Sequence, residues 1–211
     1  MRSAVIVMAK SPQPGRVKTR LSPPCSDREA SEIATAALIS TLEVVAGSDS
    51  TRRVIALDGP AGPWLPPGFE VIPQRGKGLA QRLAAAFADV GDPAVAVGMD
   101  SPQVTPELLN GSLGALDEAD SALGPTPDGG YWAIGLRRAN DEVFADVPMS
   151  VATTFQEQQG RLQSLGLSCR ELSELHDVDH FSDALEVAKI MPGSAFAAAV
   201  RSVSARLGAG S

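Results

Sequence analysis

The chain has 211 residues, 44% of them hydrophobic, and a formal net charge of -7 at pH 7. That length and apolar content suit one domain whose core needs no metal or disulfide support. The acidic balance, with no basic stripe, argues against a general nucleic-acid binder. Glycines and prolines are spread between apolar runs, the profile of an ordered protein with many loops. Cys25 and Cys169 match no metal spacing; reduced thiols or a single disulfide are both open. The apolar run 4–9 is too short for a signal-peptide core or a membrane span, and no later run reaches about 18 apolar residues. A cytoplasmic protein with no membrane partner is expected.

Residues 3–9 (SAVIVMA) read as a buried strand. Residues 10–25 form a polar loop with four prolines. Ser26 and Glu29 make a capping box for a helix, whose stripe is Ile33, Ala37, Leu38, Leu42 and Val45, with Gly47 as its stop. A second strand covers 52–57, and the proline-rich 58–68 is irregular. A short strand at 69–72 leads to a helix from about Lys77 to Val90, then a buried strand at 94–99. Thr105-Pro106 starts the next helix. Brief strands follow at 121–124 and 131–136, then a helix over 151–165, a strand over 168–172 and a helix over 182–190. The last segment, 195–207, is expected as a helix with a fraying end, outside a domain of residues 1–193. The tail is 194–211. Strands alternating with helices point to an α/β fold with a mostly parallel sheet covered on both faces. Ligands in such folds bind beyond the carboxyl ends of the strands, which selects the loops 10–25, 73–78, 100–104 and 173–181.

The first of these loops carries Gly15 and three cations at alternate positions, Arg16, Lys18 and Arg20. In an extended loop they share one side and repel unless an anion lies between them. A nucleoside diphosphate or triphosphate fits; a solvated surface loop is the rival reading. The segment is neither a Walker A loop nor a GxGxxG turn. A second basic group, Arg75, Lys77 and Arg82, surrounds Gly76 and Gly78 at a helix start, where anions are favoured; exposed helix cations are the plain alternative.

Asp100 directly follows a buried strand, the position of a metal-holding or a turn-forming carboxylate. His176-Asp177-Val178-Asp179-His180 follows another strand and offers further ligands. Magnesium takes oxygen donors; zinc on the two histidines is the less favoured choice. Asp183 reads as a first-turn helix acid. The turn Asp128-Gly129-Gly130 before Tyr131 and Trp132 either admits a ligand to the backbone or is a plain hairpin.

Together PGRVKTRL at 14–21, GMDSP at 98–102, LGPTPDGGYWAIGL at 123–136 and DVD at 177–179 resemble the DUF2064 family. These are glycosyltransferase-A-like proteins of the nucleotide-diphospho-sugar transferase superfamily, and the likeness runs from about residue 4 to 188. It implies a three-layer Rossmann-like fold with a mixed, mostly parallel sheet. It also implies a transferase using a nucleotide or nucleotide-sugar, Mg²⁺ or Mn²⁺, and a small-molecule acceptor. The family is similar to guanylyltransferases that activate small phosphorylated metabolites, so nucleotidyl transfer stands beside glycosyl transfer. By this resemblance Gly15, Arg16, Lys18, Arg20, Lys77 and Arg82 meet the phosphates, and Asp100 and Asp179 hold the metal. Ser101, Asp128, Gly129, Gly130 and Tyr131 face the acceptor or sugar. Lys18, Asp100 and Asp128 carry the chemistry, Asp128 as base because its turn is short and glycine-flanked. The chain departs from the family in having Ala80 where a glycine is common, and it lacks the second acid of a DXD turn. Those departures motivate the rival of a catalytically silent nucleotide binder; a ligand-free interaction module is a third class.

Overall fold

A computed structural model describes residues 3–91 and 93–209; positions 1, 2, 92, 210 and 211 lie outside it, the last two ending the expected tail. Seven strands form one sheet: β1 (Ala4–Lys10), β2 (Arg52–Asp58), β3 (Glu70–Pro73), β4 (Ala94–Gly98), β5 (Ser121–Pro125), β6 (Tyr131–Leu136) and β7 (Cys169–Glu171). Their order is β3-β2-β1-β4-β6-β5-β7. β6 runs antiparallel to β4 and β5, and the remaining pairs are parallel. The helices are α1 (Asp27–Gly47), α2 (Gly78–Val90), α3 (Pro106–Glu118), α4 (Thr154–Ser164), α5 (Phe181–Ile190) and α6 (Ala195–Ala209).

β1 shows why both faces are covered. Val5, Val7 and Ala9 enter the core beneath α1 and α3, while Ile6 and Met8 enter the core beneath α2 and α4. A strand apolar on both sides has no solvent face. The capping box at α1 is formed, with Ser26 accepting from the Glu29 N–H and Glu29 accepting in return. Thr105 caps α3 with Pro106 in its first turn. α1 has the length and composition of a membrane-crossing helix, yet 61% of that stretch is buried inside the protein. It is a core helix. Both cysteines are free thiols, so the disulfide alternative falls.

Two expectations need correction. The loop after β1 is not extended: Lys18 has a left-handed backbone, and Thr19–Leu21 is a turn of 3-10 helix. α4 begins at Thr154 rather than 151, because the Thr154 hydroxyl binds the carbonyls of Pro148 and Val151 and closes a turn there. α6 runs helical from Ala195 to Ala209. Phe196, Val200 and Val203 are buried with Ile33 and Ala37 of α1, and Arg206 pairs with Glu29 at 2.7 Å. Its small-residue-rich sequence hid an apolar stripe that α1 needs covered.

β1 lies between β2 and β4, and the chain leaves it in one direction before returning to the other. Such a switch point opens a crevice at the carboxyl edge. The loops after β1 and β4 flank it.

Candidate functional site

A cleft of about 590 Å³ occupies that edge. Its floor is the end of β1 and β4, with Met8, Ala9, Gly98 and Met99. Arg16, Lys18 and Arg20 all line it, although the loop is compact. Val17 and Leu21 are buried and pin the loop from below, while Lys18 turns at φ 49°. A non-glycine residue in that region costs about 1–3 kcal/mol and persists only where its surroundings fix it.

What fixes Lys18 is a set of oxygens. Its ammonium lies 2.8 Å from Asp100 Oδ1 and 3.9 Å from Asp179 Oδ1, and it donates to the Val178 carbonyl. Arg20 completes the network, with Nη1 2.6 Å from Asp179 Oδ2. The Lys18 side chain is 7% exposed, while Asp100 and Asp179 are 41% and 37% exposed. The lysine is therefore a fixed charge, and the two carboxylates keep faces open to the cleft. The Val178 N–H donates to the Asp100 carbonyl at 3.1 Å, which clips the loop after β7 to the end of β4.

Asp177 deepens this acid group. It lines the cleft and accepts from the Ser101 hydroxyl at 2.5 Å. Burial pushes its carboxyl up to about 6; the Ser101 hydrogen bond opposes that, and Asp100 adds to it. Ser101 itself is buried and acts on the cleft through Asp177.

On the far side, Arg82 lines the cleft and donates to Asp58 Oδ2 at 2.7 Å and Gln74 Oε1 at 3.0 Å. Gln74 spends its amide on the carbonyls of Ala9 and Ala56, each at 2.9 Å, and so ties the ends of β1 and β2 together. Tyr131 and Trp132 close the opposite wall. The Tyr131 hydroxyl reaches Gln158 Oε1 at 3.4 Å, and burial raises its pKa. The Trp132 indole donates to the Ser173 carbonyl at 2.9 Å.

Several expected residues lie elsewhere. Asp128 Oδ1 is occupied by the Thr126 hydroxyl at 2.6 Å and the Gly130 N–H at 3.0 Å, and Asp128 is not among the cleft-lining residues. Gly129 has φ 86°, and a Cβ there would collide with the Ala152 carbonyl. Gly130 faces the Thr126 and Asp128 side chains. The turn thus has a packing reason for its glycines. Gly15 makes a turn at φ 73° beside Asp27. Lys77 is exposed at the start of α2, its N–H donating to Gln81 Oε1 at 2.7 Å, outside the cleft lining. His180 caps α5 through Asp183, and His176 offers its carbonyl to Gln103. Those roles are structural, and the zinc alternative finds no support in them.

The cleft also holds residues that sequence reasoning passed over: Lys10 and Gln74, with Asp58 behind Arg82. Each is the polar residue at or just past the carboxyl end of a strand, and that position was a usable signal.

Among the described residues no group of three or more His, Cys, Asp or Glu converges as a metal cluster. Two carboxylates with open oxygens do fit Mg²⁺ or Mn²⁺, which take oxygen donors and keep several waters. A divalent ion on them would share Asp100 and Asp179 with the Lys18 ammonium.

The sheet order and the crevice define a fold of the nucleotide-diphospho-sugar transferase and nucleotidyltransferase type. Residues 34–151 match the family described as "Uncharacterized protein conserved in bacteria (DUF2064)". With more than half of the chain matched, the protein belongs to that family. No curated protein matches it. Among solved structures it is similar to a protein of Desulfovibrio desulfuricans G20 provisionally described as a nucleotide-diphospho-sugar transferase. That likeness has 26% identity over 97% of this chain and 96% of the other, with a TM-score of 0.87. Two further likenesses show the fold alone. One is CMP:2-keto-3-deoxy-manno-octonic acid synthetase complexed with CTP, at 12% identity over 91% and 99% of the chains and a TM-score of 0.60. The other is Rv0371c of Mycobacterium tuberculosis H37Rv in complex with manganese, at 19% identity over 89% and 98% and a TM-score of 0.56.

Proposed function

We propose that this protein is a metal-dependent transferase whose donor is a nucleoside-diphosphate sugar and whose acceptor is a small molecule. The observation that carries the reading is the buried Lys18 ammonium set between Asp100 and Asp179 at the switch-point crevice. A fixed cation beside open carboxylates suits a diphosphate and a divalent ion together. Arg20 adds a guanidinium group for phosphate oxygens. When bound, Mg²⁺ or Mn²⁺ supplies charge neutralisation of the phosphates; Asp100 and Asp179 would hold it. Lys18 and Arg20 bind and orient the diphosphate, and Lys18 stabilises charge as it develops on the leaving group. Asp177 and Ser101 keep the loop after β7 against the end of β4. Tyr131 and Trp132 restrict water on the acceptor side. The structural likeness to a provisional nucleotide-diphospho-sugar transferase supports this reading.

Nucleotidyl transfer from a nucleoside triphosphate is the second reading. It is favoured by the three cations of one loop, which match the charge of a leaving pyrophosphate, and by the fold shared with a CTP-binding synthetase. A thermal-shift screen separates the two. UDP-, GDP- and dTDP-sugars, GTP and CTP are each tested with Mg²⁺, Mn²⁺ or chelator, because ligands of the native state raise its apparent stability. A metal-dependent shift with a sugar nucleotide, lost in Lys18→Ala and Asp100→Asn, is the expected result. A shift with GTP or CTP alone moves the assignment to nucleotidyl transfer. No shift with any of them in folded protein removes the nucleotide site.

A further inference from the structure

Lys10 and Asp58 are register partners at the ends of the parallel strands β1 and β2. The Asp58 carboxyl is held below the ordinary aspartate range, first by its hydrogen bond from Arg82, with Lys10 and Arg16 adding favourable fields. Lys10, Arg16 and Arg82 line the cleft, and Asp58 does not. Arg16 makes a long contact of 3.4 Å with Gln13 Oε1; among the described residues neither it nor Lys10 has an ion pair within 4.0 Å. Three cations against one carboxylate leave two positive charges uncompensated, in a chain whose formal net charge is -7.

The other end of the cleft has the opposite balance. There Lys18 and Arg20 face Asp100, Asp177 and Asp179. The cleft is polarised, with carboxylates on the β4 side and surplus cations on the β2 side. Surplus cations in a concave site concentrate anions, and a guanidinium fork beside an ammonium suits phosphate oxygens. Arg82 is also aimed. Gln74 accepts from it while both amide hydrogens of Gln74 are tied to backbone carbonyls.

We propose that Lys10, Arg16 and Arg82, with Asp58 as their fixed counter-charge, form a second anion subsite in the cleft. It takes a phosphate group carrying about two negative charges, as a phosphomonoester does at neutral pH. The inference rests on reading the cleft as a nucleotide site and adds to it a place for a phosphate remote from the carboxylate end. That phosphate belongs to a phosphorylated acceptor, because both phosphates of the proposed donor lie against Lys18 at the carboxylate end.

The test is calorimetric titration with inorganic phosphate at pH 7.5 of the wild type, Lys10→Gln, Asp58→Asn and Glu186→Gln. Glu186 is an exposed acid on α5, so its variant changes net charge as Asp58→Asn does, but outside the cleft lining. Lys10→Gln weakens phosphate binding by roughly tenfold, the worth of one charge-assisted hydrogen bond. Asp58→Asn tightens it, with Gln74 still holding Arg82, and Glu186→Gln leaves it unchanged. Equal binding by wild type and Lys10→Gln, or equal shifts in Asp58→Asn and Glu186→Gln, overturns the subsite. UDP and GDP are then titrated with Mg²⁺. If a nucleotide binds the wild type while Lys10→Gln and Asp58→Asn bind phosphate as the wild type does, the nucleotide site stands and the subsite is overturned; failure of hexose 6-phosphate to displace bound phosphate overturns the subsite's role for a phosphorylated acceptor. If neither nucleotide binds the wild type, the nucleotide reading and the subsite's substrate role fall together. Displacement of phosphate by hexose 6-phosphate, with the nucleotide leaving it bound, supports the subsite; displacement by the nucleotide overturns it, because the phosphate then reported the nucleotide's own site.

Discussion

Asp177 is buried beside Asp100 with only the Ser101 hydroxyl and the field of Lys18 opposing the cost of its charge. Its folded pKa of about 6 lies above the unfolded aspartate value of about 3.9. The native state therefore binds more protons than the unfolded state between those values, and stability falls as pH rises through that window. In metal-free protein, Asp177→Asn should raise stability at pH 7 by about 1–2 kcal/mol, with no gain below about pH 4. The asparagine amide keeps an oxygen for the Ser101 hydroxyl, so the packing is preserved. Urea denaturation at both pH values checks this, and an unchanged midpoint at pH 7 contradicts it. A group kept at such a cost fits a functional role better than a structural one. Glu29 has the opposite sign. Arg206 and the Ser26 backbone and hydroxyl hold its carboxyl down to about 2, so its contribution is present above the unfolded glutamate value and is lost as pH falls toward 2.

At the scale of elements, Glu29 joins two helices. It closes the cap of α1 and pairs with Arg206 of α6. Glu29→Ala should cost about 1–2 kcal/mol, the usual value of a lost helix cap, and the difference should shrink in acid. Phe196→Ala should cost about 3–5 kcal/mol by leaving a cavity between α6 and α1. Denaturant midpoints read both; a negligible loss for Phe196→Ala would mean that α6 is not part of the core. The strands and main helices were legible in the sequence because buried runs and caps are local signals. Ser26 with Glu29, and Thr105 with Pro106, mark helix starts within a few residues. The α6 contact was not legible, because it depends on α1, which ends at Gly47, far earlier in the chain than Ala195. The packing role of the turn at 128–130 was not legible for the same reason: Gly129 answers to the Ala152 carbonyl, which no local pattern shows. Gly129→Ala should accordingly be strongly destabilising, since it combines a left-handed φ with a backbone clash; a wild-type melting temperature would refute that.

For the molecule as a whole, the site comes from sheet order. Lys18 and Asp100 are neighbours because β1 and β4 pair, and Asp179 joins them because the loop after β7 is bound to the end of β4. Spacing along the chain suggested each residue separately. The meeting of Arg16, Lys18 and Arg20 was foreseen from an extended loop, whereas the fold achieves it with a left-handed Lys18. Lys10 and Gln74 were missed because a polar residue closing a strand is ordinary until the topology puts a crevice beside it. The direct test of the account is a crystal grown with MnCl₂ and UDP or GDP, with anomalous diffraction locating the metal. A manganese peak on Asp100 and Asp179, with the nucleotide's phosphates against Lys18, is the expected result. Manganese bound away from both carboxylates, or a nucleotide bound outside this cleft, would contradict it.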